Sequence, residues 1–430
     1  MFLSRLFSHH ATLTRAALAA ATLASFVAAR PANAAAATAP APAPRPFDGW
    51  SFNGMTMSGT AAILSGVAGR EACAPAFVDG LPTANDASTG LCRASDAGDA
   101  PHYAGADFVY GTLASPIMWP AQPVEDLVTS WDATTPAGTW LQLHARVQQG
   151  STWTDWMPLA VWSTDATTLQ RRSHKDADAE QAPVWVDTDS IVMAPGQPAS
   201  AYQLEATLFS QSATVSPSVR MVRATMSQPA GQAPASHAAW GTDLPVPQRS
   251  QMLPAYRGLG FGGGGDAWCS PTSTSMVMAY WGNMLHLPQL VQSVPSVAAG
   301  TYDYVYQGTG NWSFNTAYAS SFGLTAYVQR FSSFDQVEPW IKASVPIVIS
   351  VAWDPGELSN APIPSTPGHL IVVRGFTANG DVIVNDPAAS SDPAVRLVYN
   401  RSEIETVWQE HFGMAYVIYP PGWAVPTPAA

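Results

Sequence analysis

The sequence predicts an α+β protein in two parts, an all-β, sandwich-like region followed by a region of mixed α and β. Three observations carry this. Leu141, Leu143, Ala145 and Val147 alternate with Gln142, His144, Arg146 and Gln148, the period of a half-buried strand, and residues 202–209 and 219–226 alternate likewise. A Pro/Ala-rich stretch at 229–243 then separates the halves. Beyond it, helical spacing near 270–281, 311–322, 333–344 and 402–409 mixes with strand-like runs at 347–353, 370–376, 382–385 and 415–419.

Taken in order, residues 1–34 read as a Sec-type signal peptide, with an uncleaved anchor as the alternative. Arg5 and Arg15 supply its positive region, and 16–29 is an apolar run too short to span a bilayer. Ala32-Asn33-Ala34 offers the small-x-small cleavage site, and no cysteine precedes Cys73 to form a lipobox. No other segment is apolar enough to span a membrane, so a secreted or periplasmic, soluble mature chain is expected. Residues 35–45 form a Pro/Ala linker. The sandwich-like region occupies 46–228, where 149–151 make a turn between the strand at 141–148 and a second at 153–162. The linker at 229–243 leads into the second domain at 244–420, and 421–430 is a Pro/Ala-rich tail expected to be disordered.

At 430 residues, 47% of them hydrophobic, the chain is long enough for two or three domains with sizeable cores. Only 12% are charged, against about a quarter in ordinary chains. Loss of 1–34 would take three of the 19 basic residues and no acids, leaving 16 against 31 and a net charge of −15. That surface argues against nucleic acid and anionic lipid as partners.

Of the three cysteines, Cys73 and Cys92 are neighbours in the first half and are expected to form a disulfide in an exported chain. Cys269 stands alone among different neighbours. Pro271 suits a first helical turn, Met276, Val277, Ala279, Tyr280 and Trp281 make an apolar stripe, and Gly282 is a natural stop. Cys269 is therefore expected at the N-terminus of a buried helix, where the helix dipole favours thiolate. Gly262 to Gly265 and Asp266 precede it as a loop without bulk. No Lys follows in the manner of a phosphate-binding loop.

A thiolate nucleophile needs a base and a group to orient that base. His369 opens an apolar strand, residues 377–381 turn the chain, and 382–387 return it, bringing Asp386 to the same end of a hairpin. A strict two-residue turn at Asn379-Gly380 would leave the pair roughly 13 Å apart. A bulge, or a turn nearer Thr377-Ala378, is expected to set them opposite each other.

The order of a glutamine, Cys-x-Pro opening a helix, Gly-His before a strand, and Asn-Asp-Pro resembles the bacteriocin-processing (double-glycine) peptidase-like family of papain-like cysteine peptidases, over about residues 244–420. The resemblance implies a papain-like domain with Cys269 as nucleophile, His369 as general base and acid, and Asp386 as orienting carboxylate. It implies an oxyanion-hole glutamine, for which Gln251 is the better match and Gln248 the alternative. Ser270 stands where the family has glycine. A small helix-capping residue there is expected to leave activity intact. The first half resembles the β-rich region that accompanies this domain in some exported bacterial homologues. Founding relatives cut leader peptides after a double glycine inside an export transporter, and this chain lacks a transporter segment, so that substrate does not carry over.

Each residue also has a plainer reading. Cys269 alone could be an inert buried thiol, His369 a strand-end histidine, Asp386 a turn residue. Asp266 reads as a loop acid, and His286 and His411 as structural or surface groups. Trp131, Trp140, Trp153, Trp156 and Trp162 read as core in preference to a sugar-binding floor. No ligand spacing for a metal surrounds Cys269, and no cofactor is implied. The combined reading is a secreted peptidase that acts on peptides or proteins through an acyl-enzyme. The alternatives are a degenerate surface or cell-wall glycan-binding protein, or a transpeptidase or amidase using the same residues.

Overall fold

The structure is a computed structural model that describes residues 46–69, 77–78, 81–97, 103, 105–176, 182–188, 190–227 and 234–426. The expected signal segment, the first linker and Cys73 lie outside the described residues. Among those described, every regular element between Ser51 and Asp243 is a strand. The strand Thr139–Gln149 lies between Ala201–Ser210 and Met157–Trp162, and Asp126–Thr134 lies between Ser218–Met226 and Ser190–Met193, all antiparallel.

The alternating pattern finds its cause here. Leu141, Leu143, Ala145 and Val147 are fully buried with Leu204, Ala206 and Leu208 across the ladder. The second expected strand is interrupted, with Thr152–Trp153 and Met157–Trp162 pairing separately onto Thr139–Gln149. Trp131, Trp140 and Trp162 are core, whereas Trp153 and Trp156 are only half-buried and clasp the Arg146 guanidinium at 4.9 and 4.7 Å.

The C-terminal half carries five α-helices, α1 (Cys269–Leu285), α2 (Val294–Thr301), α3 (Trp312–Ser321), α4 (Phe334–Lys342) and α5 (Arg401–Gln409). Four were expected from the sequence. They pack around a seven-stranded antiparallel sheet. Its order is Thr325–Arg330, Met414–Tyr419, Ile347–Trp353, Thr366–Phe376, Val382–Asn385 and Arg396–Tyr399, with Thr242–Asp243 pairing onto the end of Thr366–Phe376. The end of the second linker thus joins this sheet. Strand residues Ile347, Val348, Ile349, Ile371, Val372 and Val373 are fully buried, which is why they read as continuous apolar runs.

The two halves pack on each other through paired polar groups. The Ser313 and Ser320 hydroxyls of α3 donate to the carbonyls of Thr129 and Trp131. The Val328 N–H donates to Ser130 Oγ at 2.9 Å, and Arg330 pairs with Asp126 at 2.5 Å. Arg171, fully buried, donates to the Ala299 carbonyl at the end of α2 at 2.7 Å.

Candidate active site

Cys269 is the first residue of α1, as its sequence context predicts. Trp268 precedes it in non-helical geometry, wholly buried, with its indole N–H donating to the Phe261 carbonyl at 2.9 Å. The helix is buried from Ser270 to Gly282, and of its opening hydroxyls all but Thr272 Oγ1 find partners inside the protein. Ser273 Oγ donates to the Leu370 carbonyl at 2.9 Å, Thr274 Oγ1 to Asn315 at 3.2 Å, and Ser275 Oγ to the Thr272 carbonyl at 2.6 Å. Ser270 Oγ lies 2.8 Å from the Tyr416 hydroxyl. The Ser273 bond ties the start of α1 to the residue after His369.

His369 lies within the strand Thr366–Phe376, opposite Val351, and Trp353 packs edge-on against its ring with 5.8 Å between centroids. His369 Nε2 is 2.7 Å from Asp386 Oδ1. The other ring nitrogen is left for Cys269, which lies close enough to His369 for the two groups to shift each other's titration. The hairpin register corrects one expectation. A bulge at Arg374 and a three-residue turn at 378–380 bring Asp386 nearer, yet the last ladder pair is Val372 with Asn385, so His369 and Asp386 are not directly opposite. Asp386 leaves the ladder, its N–H donating to the Val395 carbonyl at 2.7 Å, and its carboxylate spans the remaining gap.

Asp386 is completely buried and fully partnered. Oδ1 also accepts the Ala388 N–H at 2.9 Å, and Oδ2 accepts the Tyr399 hydroxyl at 2.7 Å. Burial works against its charge, but His369 foremost, with Tyr399 and Ala388, holds it below the ordinary carboxylate range. Burial likewise opposes a charged His369, but Asp386 and then Cys269 raise it to about 10. Burial would raise the Cys269 thiol. The nearby His369 first, aided by the N–H groups of Leu370 and Ser270, lowers it instead. These are the electrostatics of a thiolate–imidazolium pair.

Gln251 is buried beside this group. Its Nε2 donates to the Asp266 carbonyl at 3.1 Å, three residues ahead of Cys269, and its N–H donates to the Pro387 carbonyl at 2.9 Å, one residue past Asp386. Gln251 therefore touches both segments that carry the site. Gln248 is only partly buried. The glycine loop has a specific role here, since a Cβ on Gly265 would lie 2.1 Å from the Gln251 carbonyl oxygen. Asp266 is exposed, and burial first, with the Arg330 charge, lowers His411 to about 4. Cys269 is a free cysteine and Cys92 is buried on the strand Leu91–Ser95. Among the described residues no cluster of His, Cys, Asp and Glu is arranged to hold a metal. Tyr399 and Trp353 were not singled out from the sequence, because neither sits in a motif.

Residues 243–416 match the model of the Peptidase_C39 like family, and residues 74–227 match that of the Peptidase C39 N-terminal domain. Among solved structures, a Bacillus anthracis protein assigned to the C39-like peptidases is similar at 16% identity and a TM-score of 0.30, over 44% of this chain and 98% of that one. A Clostridium thermocellum xylanase 10B fragment, its CBM22-1 and GH10 modules in complex with xylohexaose, is similar at 10% identity and a TM-score of 0.14, over 47% of this chain and 30% of that one. No curated protein matches the chain.

Proposed function

We propose, from the premise that this chain belongs to the C39 (double-glycine peptidase-like) family, that it is a cysteine peptidase of papain-like architecture. The observation that carries the reading is the buried 2.7 Å pair of His369 with Asp386 beside Cys269, whose thiol His369 lowers, with the sulfur at the start of α1. The Cys269 thiolate attacks a peptide carbonyl, and the carbonyl π electrons move onto oxygen. The Cys269 N–H and the second N–H of the Gln251 amide would receive that oxyanion. As the C–N bond breaks, His369 gives its proton to the leaving amine. It then takes a proton from water, which attacks the thioester, releases the acid and restores the thiolate. Asp386 holds the ring throughout.

Ser270 is compatible with this chemistry, because its hydroxyl is engaged by Tyr416. Export through residues 1–34 and a Cys73–Cys92 disulfide belong to the same proposal. Contact of the N-terminal half with cell-wall glycan would fall to Trp153 and Trp156, since the other three tryptophans are core. The test is a peptide-library digest with wild type and Cys269→Ala. Cleavage by wild type alone is expected, and equal cleavage by both removes Cys269 from the mechanism.

A further inference from the structure

We propose that Tyr399 is a positioning residue of this site, its buried hydroxyl fixing the Asp386 carboxylate in the orientation that serves His369. The inference rests on the reading of Cys269, His369 and Asp386 as one catalytic unit. Asp386 has left the strand ladder, so cross-strand pairing does not set its side-chain rotation. A carboxylate turns about its terminal torsion with broad, roughly two-fold freedom. Here each oxygen is claimed separately. Oδ1 takes His369 Nε2 at 2.7 Å and the Ala388 N–H at 2.9 Å, and Oδ2 takes the Tyr399 hydroxyl at 2.7 Å. A donor on each carboxylate oxygen opposes rotation that would break the bond to the imidazole.

Tyr399 comes from the strand Arg396–Tyr399, on the far side of Val382–Asn385 from His369. The carboxylate is therefore gripped from two strands that do not pair with each other. The phenol is fully buried, and burial first, then the Asp386 charge, raises its own ionisation above the ordinary range, so it remains a donor. The charged groups facing this corner are few. His369 and Tyr399 touch the carboxylate, and Cys269 stands behind His369. Arg374 and Arg396 are both paired with Asp243, and Asp392 accepts the Ser250 N–H.

Removing the hydroxyl strips one donor from a buried anion. The carboxylate should then protonate at higher pH and release the imidazole on acidification. The experiment measures iodoacetamide alkylation of Cys269 against pH, and kcat and KM on a cleaved peptide. The proteins are wild type, Tyr399→Phe, Asp386→Asn and the double variant, with folding checked by circular dichroism. For Tyr399→Phe the acid limb should move up by about one pH unit and kcat should fall about tenfold with KM unchanged. In the Asp386→Asn background the same change should shift nothing further. A wild-type pH profile in Tyr399→Phe, or a pH-independent loss that persists undiminished beside Asp386→Asn, overturns the inference. An ordinary thiol titration in wild type would instead overturn the reading of the site beneath it. Should Tyr399→Phe not fold, a slowly exchanging Tyr399 hydroxyl proton in the wild-type NMR spectrum, lost in Asp386→Asn, supports the grip, and its absence counts against it.

Discussion

His369 Nε2 and Asp386 Oδ1 stand 2.7 Å apart, in a pair whose ring is 3% exposed and whose carboxylate is wholly buried. Their signs follow from that contact. His369, raised to about 10, contributes stability that is complete below its unfolded value near 6.5 and is lost as pH rises through about 10. Asp386, held low, contributes stability present above its unfolded value near 3.8 and lost as pH falls toward the depressed folded value. From these two groups the melting temperature should be flat between about pH 4 and 6.5, falling below that window as Asp386 protonates and above it as His369 loses its proton toward 10. The kcat/KM profile should be a bell whose alkaline limb lies near 10 as a property of the coupled pair. A profile rising through pH 8 to 9 with an ordinary thiol would contradict both.

Asp386→Asn should lower kcat by roughly 10²–10⁴ while the chain still folds. An amide cannot accept from His369, Tyr399 and Ala388 together as the carboxylate does, and it removes the charge that keeps His369 protonated. Steady-state kinetics beside a thermal melt check this, and a loss under threefold would contradict an orienting role.

The sequence left two candidates for the oxyanion donor, and their surroundings differ. Gln251 bridges the segment before Cys269 and the segment after Asp386. Gln251→Ala should cost roughly 10²–10³ in kcat with little change in KM, and Gln248→Ala should leave kcat near wild type. Comparable losses in both variants would detach Gln251 from the oxyanion.

The parts of the site that were legible in the sequence were those that local chemistry forces. A lone cysteine before proline and a helical stripe, and a histidine before an apolar run, locate two elements without knowledge of the fold. Four helices and the inner strands read clearly because their spacing or continuous apolarity follows from burial. The strands Thr325–Arg330 and Arg396–Tyr399 and helix α2 were not legible. The two strands lie at the outer ends of the sheet order and carry mixed polar residues, and α2 is eight residues long. The pairing of His369 with Asp386 was implied by the family resemblance, while the residues themselves posed it as a register problem. Its solution, a bulge at Arg374 and a departure from the ladder, depends on contacts that no local pattern encodes. Tyr399 was invisible for the same reason.

Ser270→Gly restores the residue that the family pattern carries, and it should preserve kcat within about threefold. It should also destabilise the fold by about 1–2 kcal/mol, through loss of the buried bond to Tyr416 and the added backbone freedom of glycine. Thermal melts and kinetics on the same preparation separate the two. A gain of stability would mean that the Ser270 hydroxyl is a burden tolerated for another reason.

Gly265→Ala tests whether the glycine loop serves packing or merely openness. If the loop only kept substrate access clear, a methyl group would matter little. The backbone at Gly265 instead lies against Gln251, where an added Cβ would sit 2.1 Å from a carbonyl oxygen and 3.2 Å from the Tyr256 Cβ. A contact under 3 Å with main chain cannot be relieved by turning a side chain, so Gln251 or the loop must move. Gln251 is also held by the Pro387 carbonyl, and the loop by Trp268, whose N–H donates to the Gly265 carbonyl at 3.0 Å. Either movement misplaces the Gln251 amide relative to Cys269. Gly265→Ala should therefore lower kcat by tenfold or more, roughly the cost of a displaced donor. Cys269 alkylation should be much less affected, because His369 and Asp386 are reached through other strands. Gly263→Ala, where the nearest atom to a new Cβ is the Ala267 side chain at 3.8 Å, is the control for backbone strain alone, since φ there is +115°. Equal activity in Gly265→Ala and wild type would show that the Gln251 segment is not held against the nucleophile loop as tightly as this geometry requires.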